Sequence, residues 1–251
     1  MKVLFVGDIY GDVGRDCFFK NIDRIKKEHN INLVIVNGEN IAGGRGINQK
    51  IYKELMSKGV CAVTMGNHTW GNKELEEFLE GSNVVIPANY PNSPKNGYLT
   101  INYNQKKITI INLLGRVYMN YLPLDCPFKT AKKIIDEVKS DYYIIDMHAE
   151  ATSEKIALGL YLDGIKGAVV GTHTHVPTAD ERVLPNGTLY ISDIGMTGPL
   201  NGVLGVDASL IIDRFVKGAH VMNKTAKGPA QFNAVVLDFD KNKISRINFI
   251  E

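Results

Sequence analysis

Five times along this chain a short apolar run ends in a glycine-flanked cluster of polar side chains, and that repetition restricts the fold more than any other feature. Val3-Leu4-Phe5-Val6 leads into Gly7-Asp8, Leu33-Val34-Ile35-Val36 into Asn37-Gly38-Glu39-Asn40, and Cys61-Ala62-Val63-Thr64 into Gly66-Asn67-His68. The runs Tyr142 to Met147 and Ala168 to Gly171 carry Asp146-Met147-His148-Ala149-Glu150 and Gly171-Thr172-His173-Thr174-His175. Strands this uniformly apolar need cover on both faces of their sheet, and alternation with helices supplies it. Helical spacing places Phe18, Phe19, Ile22 and Ile25 on one face of a helix from about Arg15 to Glu28. Asn48 is positioned to cap a second helix with Ile51, Leu55 and Met56 inward. Further helices are expected near Lys73 to Leu79, near Thr130 to Lys139, and between the last two of the five strands.

The remaining strands come in pairs. Tyr98 to Tyr103 and Lys107 to Leu114 form a hairpin around Asn104-Gln105, and Arg182 to Leu184 and Thr188 to Ser192 flank Pro185-Asn186-Gly187. Val235 to Phe239 and Ile244 to Ile250 flank Asp240-Lys241-Asn242. With no internal repeat, low-complexity tract or linker, the expectation is one α/β domain over 1–251, two sheets face to face with helices outside.

Composition narrows the function. With 29 basic and 27 acidic residues the net charge is +2, which excludes a protein that coats nucleic acid by bulk charge but not a local basic patch. Cys17, Cys61 and Cys126 form no CxxC and are expected as buried small hydrophobes in a reducing compartment rather than a disulfide set. No segment reads as a secretory leader or reaches the ~18 apolar residues of a membrane helix, so a soluble cytoplasmic protein is expected.

Ligands of open α/β sheets bind beyond the carboxyl ends of the strands, where all five polar clusters fall. Four of the six histidines lie in them, whereas His29 and His220 sit in helix-end or loop contexts. One histidine after a strand is usually a structural hydrogen bonder. Asp, Glu, two Asn and four His at equivalent positions, beside glycines that permit close approach, require a common cause. His-x-His places two imidazoles on one side of an extended segment, as two ligands of one centre require. Oxygen and imidazole donors without thiolate suit manganese, iron or zinc, and there are more donors than one tetrahedral ion uses. Two ions about 3.5–4 Å apart suit in-line attack on phosphorus.

These spaced blocks resemble the calcineurin-like metallophosphoesterases. GDIYGDVGR, NGENIAGGRG, GNHTW, DMHAEATSEK, GTHTHVPTADERVLPNGT and SDIGMTGP are similar, in order, to the YmdB-like bacterial branch, over most of the chain from Asp8 to beyond Pro199. The resemblance implies a four-layer αββα fold, a dinuclear site, and hydrolysis of 2′,3′-cyclic nucleotides to 3′-nucleotides by a metal-bridging hydroxide. It assigns Asp8, Glu39, Asn40 and His175 to one ion and Glu39, Asn67, His148 and His173 to the other, with Glu39 bridging. It makes His68 the general acid that protonates the leaving ribose oxygen. Iron or manganese is implied, with zinc as an alternative. Tyr10 stands where the wider superfamily has histidine, and Gly38-Glu39-Asn40 replaces Gly-Asp-x-x-Asp; both changes match the narrower branch.

Other residues bear on the same site. Arg45, within Gly43-Gly44-Arg45-Gly46, is a candidate phosphate contact together with that loop's amides, against the alternative of a mobile turn. Asp193 either orients a metal-binding histidine or caps a turn. Arg116, Tyr118 and Tyr121 either cover the site or an oligomer interface, or form a self-packed surface loop, and Trp70 either stacks on a base or packs in the core or at the rim. Gly11-Asp12-Val13-Gly14 has the wrong spacing for a dinucleotide fingerprint, and Asp12 would repel pyrophosphate. Alternative readings are a phosphomonoesterase of the same superfamily and a metal-stabilised regulator acting through an RNA-processing partner. The substrate implied is a small cyclic nucleotide or an RNA-terminal cyclic phosphate, with no membrane partner and with self-association left open.

Overall fold

In chain order the elements are β1 (Lys2–Val6), β2 (Asp8–Ile9), α1 (Gly11–His29), β3 (Leu33–Asn37), α2 (Gln49–Ser57), β4 (Val60–Thr64), α3 (Glu74–Phe78), β5 (Val84–Val85), β6 (Tyr98–Tyr103) and β7 (Lys106–Leu114). They continue with α4 (Pro127–Glu137), β8 (Tyr142–His148), α5 (Thr152–Tyr161), β9 (Gly167–Thr172), β10 (Arg182–Val183), β11 (Leu189–Ile191), β12 (Met196–Pro199), α6 (Ala208–Lys217), β13 (Ala230–Asp238) and β14 (Lys243–Ile250). The coordinates are a computed structural model that describes residues 1–91, 97–119, 123–218 and 222–251. Tyr121 and His220 therefore lie outside the described residues.

One mixed sheet runs β2-β12-β13-β1-β3-β4-β5, with β14 paired to β13, and the other runs β10-β11-β9-β8-β7-β6. Side chains alternate across each strand, and the alternation builds four layers. Val3, Phe5 and Ile35 of the first sheet meet Ile110, Ile144 and Val170 of the second. On the first sheet's other face Leu4, Val6 and Val36 pack on Phe18 and Ile22 of α1 and Leu55 of α2. Ile111, Ile145 and Val169, on the outer face of the second sheet, meet Ala131 of α4 and Leu158 of α5. Fully burying one such branched or aromatic side chain is worth about 1.5–3 kcal/mol, so three apolar interfaces hold a rigid frame. This is the αββα arrangement that the resemblance implies.

Parallel pairing brings the polar clusters to one edge. Val6 lies beside Val36, Asn37 beside Thr64, and His148 beside Thr172, so the strand ends are level within each sheet.

Several expectations shift. The first helix begins at Gly11 rather than near Arg15, drawing Gly11-Asp12-Val13-Gly14 into its first turn. The Asn48 side chain caps α2 by accepting from the Ile51 N–H at 2.9 Å. Sequence pattern does not announce β2, β5, β12 or α6. All three cysteines are free, as expected, but only Cys17 is fully buried, Cys61 and Cys126 being half-buried; burial pushes the Cys17 and Cys61 thiols up to about 12 and about 11. No helix among the described residues is long and apolar enough to cross a membrane.

Candidate metal centre

Seven side chains from both sheets meet at that shared edge. Asp8 follows β1 and is fully buried; its Oδ2 is 3.0 Å from His175 Nε2. Asn40 Nδ2 donates to Asp8 at 3.0 and 3.1 Å and to Glu39 Oε1 at 3.0 Å. Across the inter-sheet seam, Glu39 Oε1 lies 3.3 Å from His148 Nε2. That nitrogen is also 2.8 Å from Asn67 Oδ1 and 3.1 Å from His173 Nδ1. All seven residues that the sequence groups together thus form one continuous cluster. Gly66 makes the approach possible: a Cβ there would collide with Glu39 Oε2 and with the His148 ring.

Among the described residues two groups present donor atoms within 4.8 Å of one another, Glu39 with His148 and His173, and Asp8 with Glu39 and His175. Glu39 belongs to both. The donor set suits cations. His148 Nε2 faces two oxygens and a ring nitrogen at once, and one proton cannot serve all three. Among the described residues the ion-pair partners of Asp8 and Glu39 are histidines alone, so two buried carboxylates lack a fixed positive charge.

Protons fill that role in part. Burial opposes charge on Glu39, but His148 and His68 outweigh it and hold the carboxyl well below its ordinary range. Burial likewise opposes charge on His175, yet the Asp8 carboxylate prevails and raises it to about 9. His173 is pushed down to about 3 by burial and by the neighbouring His148, which leaves it neutral with a lone pair to offer.

The histidines are aimed from outside the cluster. Thr172 Oγ1 donates to Asp146 Oδ1 at 2.6 Å, so its lone pair is what meets His148 Nδ1 at 2.9 Å. His148 therefore carries hydrogen on Nδ1 and turns Nε2 inward. Asp146 is fully buried and also accepts from Thr64 Oγ1 and Asn37 Nδ2; burial raises it to about 6 despite these bonds. Leu204 O receives His175 Nδ1 at 3.0 Å, and Glu150 Oε2 receives His173 Nε2 at 3.1 Å. Substituting Thr172→Val keeps the volume and removes this orientation. Metal at the Glu39–His148–His173 group should bind about 10- to 100-fold more weakly, measured by metal retention against a graded chelator.

The His-x-His segment departs from expectation. It is not extended: His173 and His175 have φ of 100° and 66°, in the left-handed region that side chains with a Cβ rarely adopt. The turned backbone sends one imidazole to each donor group. Asp193 contacts neither ring. Its Oδ2 accepts from the Thr174 N–H at 3.1 Å and Oγ1 at 2.8 Å, holding the residue between the two histidines, and pairs with Lys155 Nζ at 2.7 Å.

His68 stands beside the cluster, half-buried, with Nδ1 2.7 Å from Asn40 Oδ1 and its N–H donating to Glu39 Oε2 at 2.9 Å. Burial lowers its pKa, against the pull of Glu39 and Asp8. Arg45 lines an adjoining cavity with His68. The amides of Gly44, Arg45 and Gly46 donate to Asn40 O, Ala42 O and Glu39 O, so these loop amides are committed to the turn rather than aimed at a phosphate. Trp70 is 38% exposed, its ring centroid 6.5 Å from that of Tyr90, and it is not among the residues lining the cavities at the cluster. Tyr118 is exposed, and the Arg116 N–H bonds Glu154.

Sequence reasoning missed the supporting residues Thr172, Thr64 and Asn37, and all of α6, whose Arg214 and Phe215 line the cavity above the cluster. Asp146 within an otherwise apolar strand and the Asp207 cap ahead of ASLIIDRFVK were the available signals.

The comparisons with known proteins agree with this fold. The chain is 46% identical over 98% of its length, and 96% of the relative's, to a Bacillus subtilis protein named 2′,3′-cyclic-nucleotide 2′-phosphodiesterase. A crystal structure of a hypothetical protein from Thermus thermophilus superposes with a TM-score of 0.95 at 39% identity, covering 100% of both chains. A structure described as a novel phosphatase from Mycoplasma pneumoniae gives 0.94 at 37% identity, covering 100% of this chain and 94% of that one. The profile of YmdB-like proteins matches residues 4–250, and the chain belongs to that YmdB-like family.

Proposed function

We propose that the protein is a dimetal phosphodiesterase that opens 2′,3′-cyclic nucleotides at the 2′ oxygen and releases 3′-nucleotides. The observation that carries this reading is the sharing of Glu39 by two donor groups with a half-buried imidazole, His68, beside them. Asp8, Glu39, Asn40 and His175 would hold one ion, and Glu39, Asn67, His148 and His173 the other, iron or manganese by their mixed oxygen and imidazole donors. When bound, such a pair supplies Lewis acidity and a nucleophile derived from water at neutral pH.

The chain's own residues supply the rest. His68 Nδ1 lies 2.7 Å from Asn40 Oδ1, so that contact fixes the ring and its outer nitrogen is Nε2. That nitrogen is the one left to serve the cavity. Water oxygen adds to phosphorus and gives up a proton to solvent, the bond from phosphorus to O2′ breaks, and His68 delivers its proton to O2′, which otherwise leaves as a poor alkoxide, before regaining one from solvent.

The phosphatase description of the Mycoplasma pneumoniae structure favours a second reading, a phosphomonoesterase. Metal-loaded protein should convert 2′,3′-cAMP to 3′-AMP and stop there. Release of inorganic phosphate from 3′-AMP at a comparable rate would favour the second reading instead.

A further inference from the structure

Two chambers share a wall at this site. The inner one, about 380 Å³, has Glu39, Asn40 and the His173-Thr174-His175 turn on one side, with Leu204 and Phe215 on the other. The outer one, about 820 Å³, is lined by Arg45, Arg214, Met222 and Asn223. Tyr10, His68, Arg214 and Asn223 line both. Drug-sized ligands occupy sites of about 300–1,000 Å³, so the inner chamber alone has room for one nucleotide. The outer chamber is surplus to a mononucleotide.

Its chemistry is specific. No carboxylate is among its described lining residues, and two guanidinium groups are. Both are held in place. The Arg45 stem packs so closely over Gly71 that a Cβ there would collide with Arg45 Cγ. Arg214 Nη2 donates to Asn223 Oδ1 at 2.7 Å. A cyclic mononucleotide has one phosphate, which belongs over the ion-binding cluster, and it brings no second anion to these two guanidinium groups. The opposite wall of the inner chamber suits a base: Phe215 is 82% exposed and Leu204 49%, and an aromatic face accepts any base by stacking.

We propose that the substrate is an oligoribonucleotide ending in a 2′,3′-cyclic phosphate. The terminal nucleoside lies against Phe215 and Leu204, and the next phosphate of the strand is held by Arg45 and Arg214 in the outer chamber. The inference rests on the phosphodiesterase reading above and uses the same bond changes: water adds to the terminal phosphorus and O2′ leaves with a proton.

The test uses the metal-loaded full chain and three substrates: 2′,3′-cAMP, a triadenylate with a 2′,3′-cyclic end, and the same trimer with a neutral methylphosphonate at the linkage nearest that end. A guanidinium–phosphate contact at a partly exposed site is expected to favour the charged trimer over the neutral one about tenfold in kcat/KM. Arg214→Gln, and separately Arg45→Gln, should shrink that ratio toward one. Equal kcat/KM for the two trimers with wild-type protein would overturn the proposal, needing no variant to fold. A tenfold ratio that survives both substitutions would overturn it as well. If 2′,3′-cAMP and both trimers are all inert, the phosphodiesterase reading itself fails; if 2′,3′-cAMP is opened and the trimers do not differ, only the strand inference fails.

Discussion

Replacing His68 with alanine should leave both ion groups able to load and cost about 10²- to 10⁴-fold in turnover of 2′,3′-cAMP, the usual contribution of a positioned acid. Loading should survive because the hydrogen bond from this residue to Glu39 comes from its backbone N–H, which donates to Oε2 at 2.9 Å and is kept by alanine, whereas the imidazole stands 3.7 Å from Oε1. The side chain contributes the proton for O2′. An aryl phosphodiester, whose leaving group departs as a stable anion, needs no such proton, so the loss on that substrate should be much smaller. Metal content and the two turnover numbers decide the matter. Wild-type rates on the cyclic nucleotide would remove His68 from its role, and an equal loss on both substrates would make it a binding residue.

A second large effect is expected directly behind the His173-Thr174-His175 turn. Lys155 and Asp193 pair at 2.7 Å with side chains 2% and 1% exposed. Asp193→Ala leaves a buried ammonium without its partner, which costs about 3–5 kcal/mol. In a chain of this size that lowers Tm by roughly 6–20 °C. Thr174 loses its tie in the same variant, so the turned backbone that aims His173 and His175 loosens too. Changing both partners, Lys155→Met with Asp193→Leu, should recover much of the Tm while leaving the turn unsupported. Thermal melts of the two variants test this, and an unchanged Tm for Asp193→Ala would show that the pair contributes little.

The parts of the molecule legible in the sequence are those whose cause is local. Val3 to Val6 and Leu33 to Val36 announce buried strands because every residue is apolar, and Asn48 caps α2 because an Asx side chain before an apolar period does so almost anywhere. That the polar clusters would share one edge was readable because strand ends aligned by parallel pairing must meet, and the resemblance supplied the candidate donors one by one. Other features depend on distant chain. β12 is only Met196–Pro199 and forms because β2 and β13 offer it edges. Helix α6 buries little beyond Ile211 and exposes Ile212, Phe215 and Val216, so its pattern does not look like one face of a core. Thr172 and Asp146 gain their importance from lying one behind the other beneath His148. Asp193 shows the limit most clearly: its sequence context left it either orienting an imidazole or capping a turn, and it holds the peptide between two imidazoles.

Glu39 comes from one sheet and His148 from the other, and they face each other across the seam at 3.3 Å. An ion gripped by both would act as a rivet through the sandwich, so the free energy of loading would be added to the resistance of the layers to parting. Starving the protein of its ion would then shorten its life as well as silence it, tying its abundance to the supply of the metal.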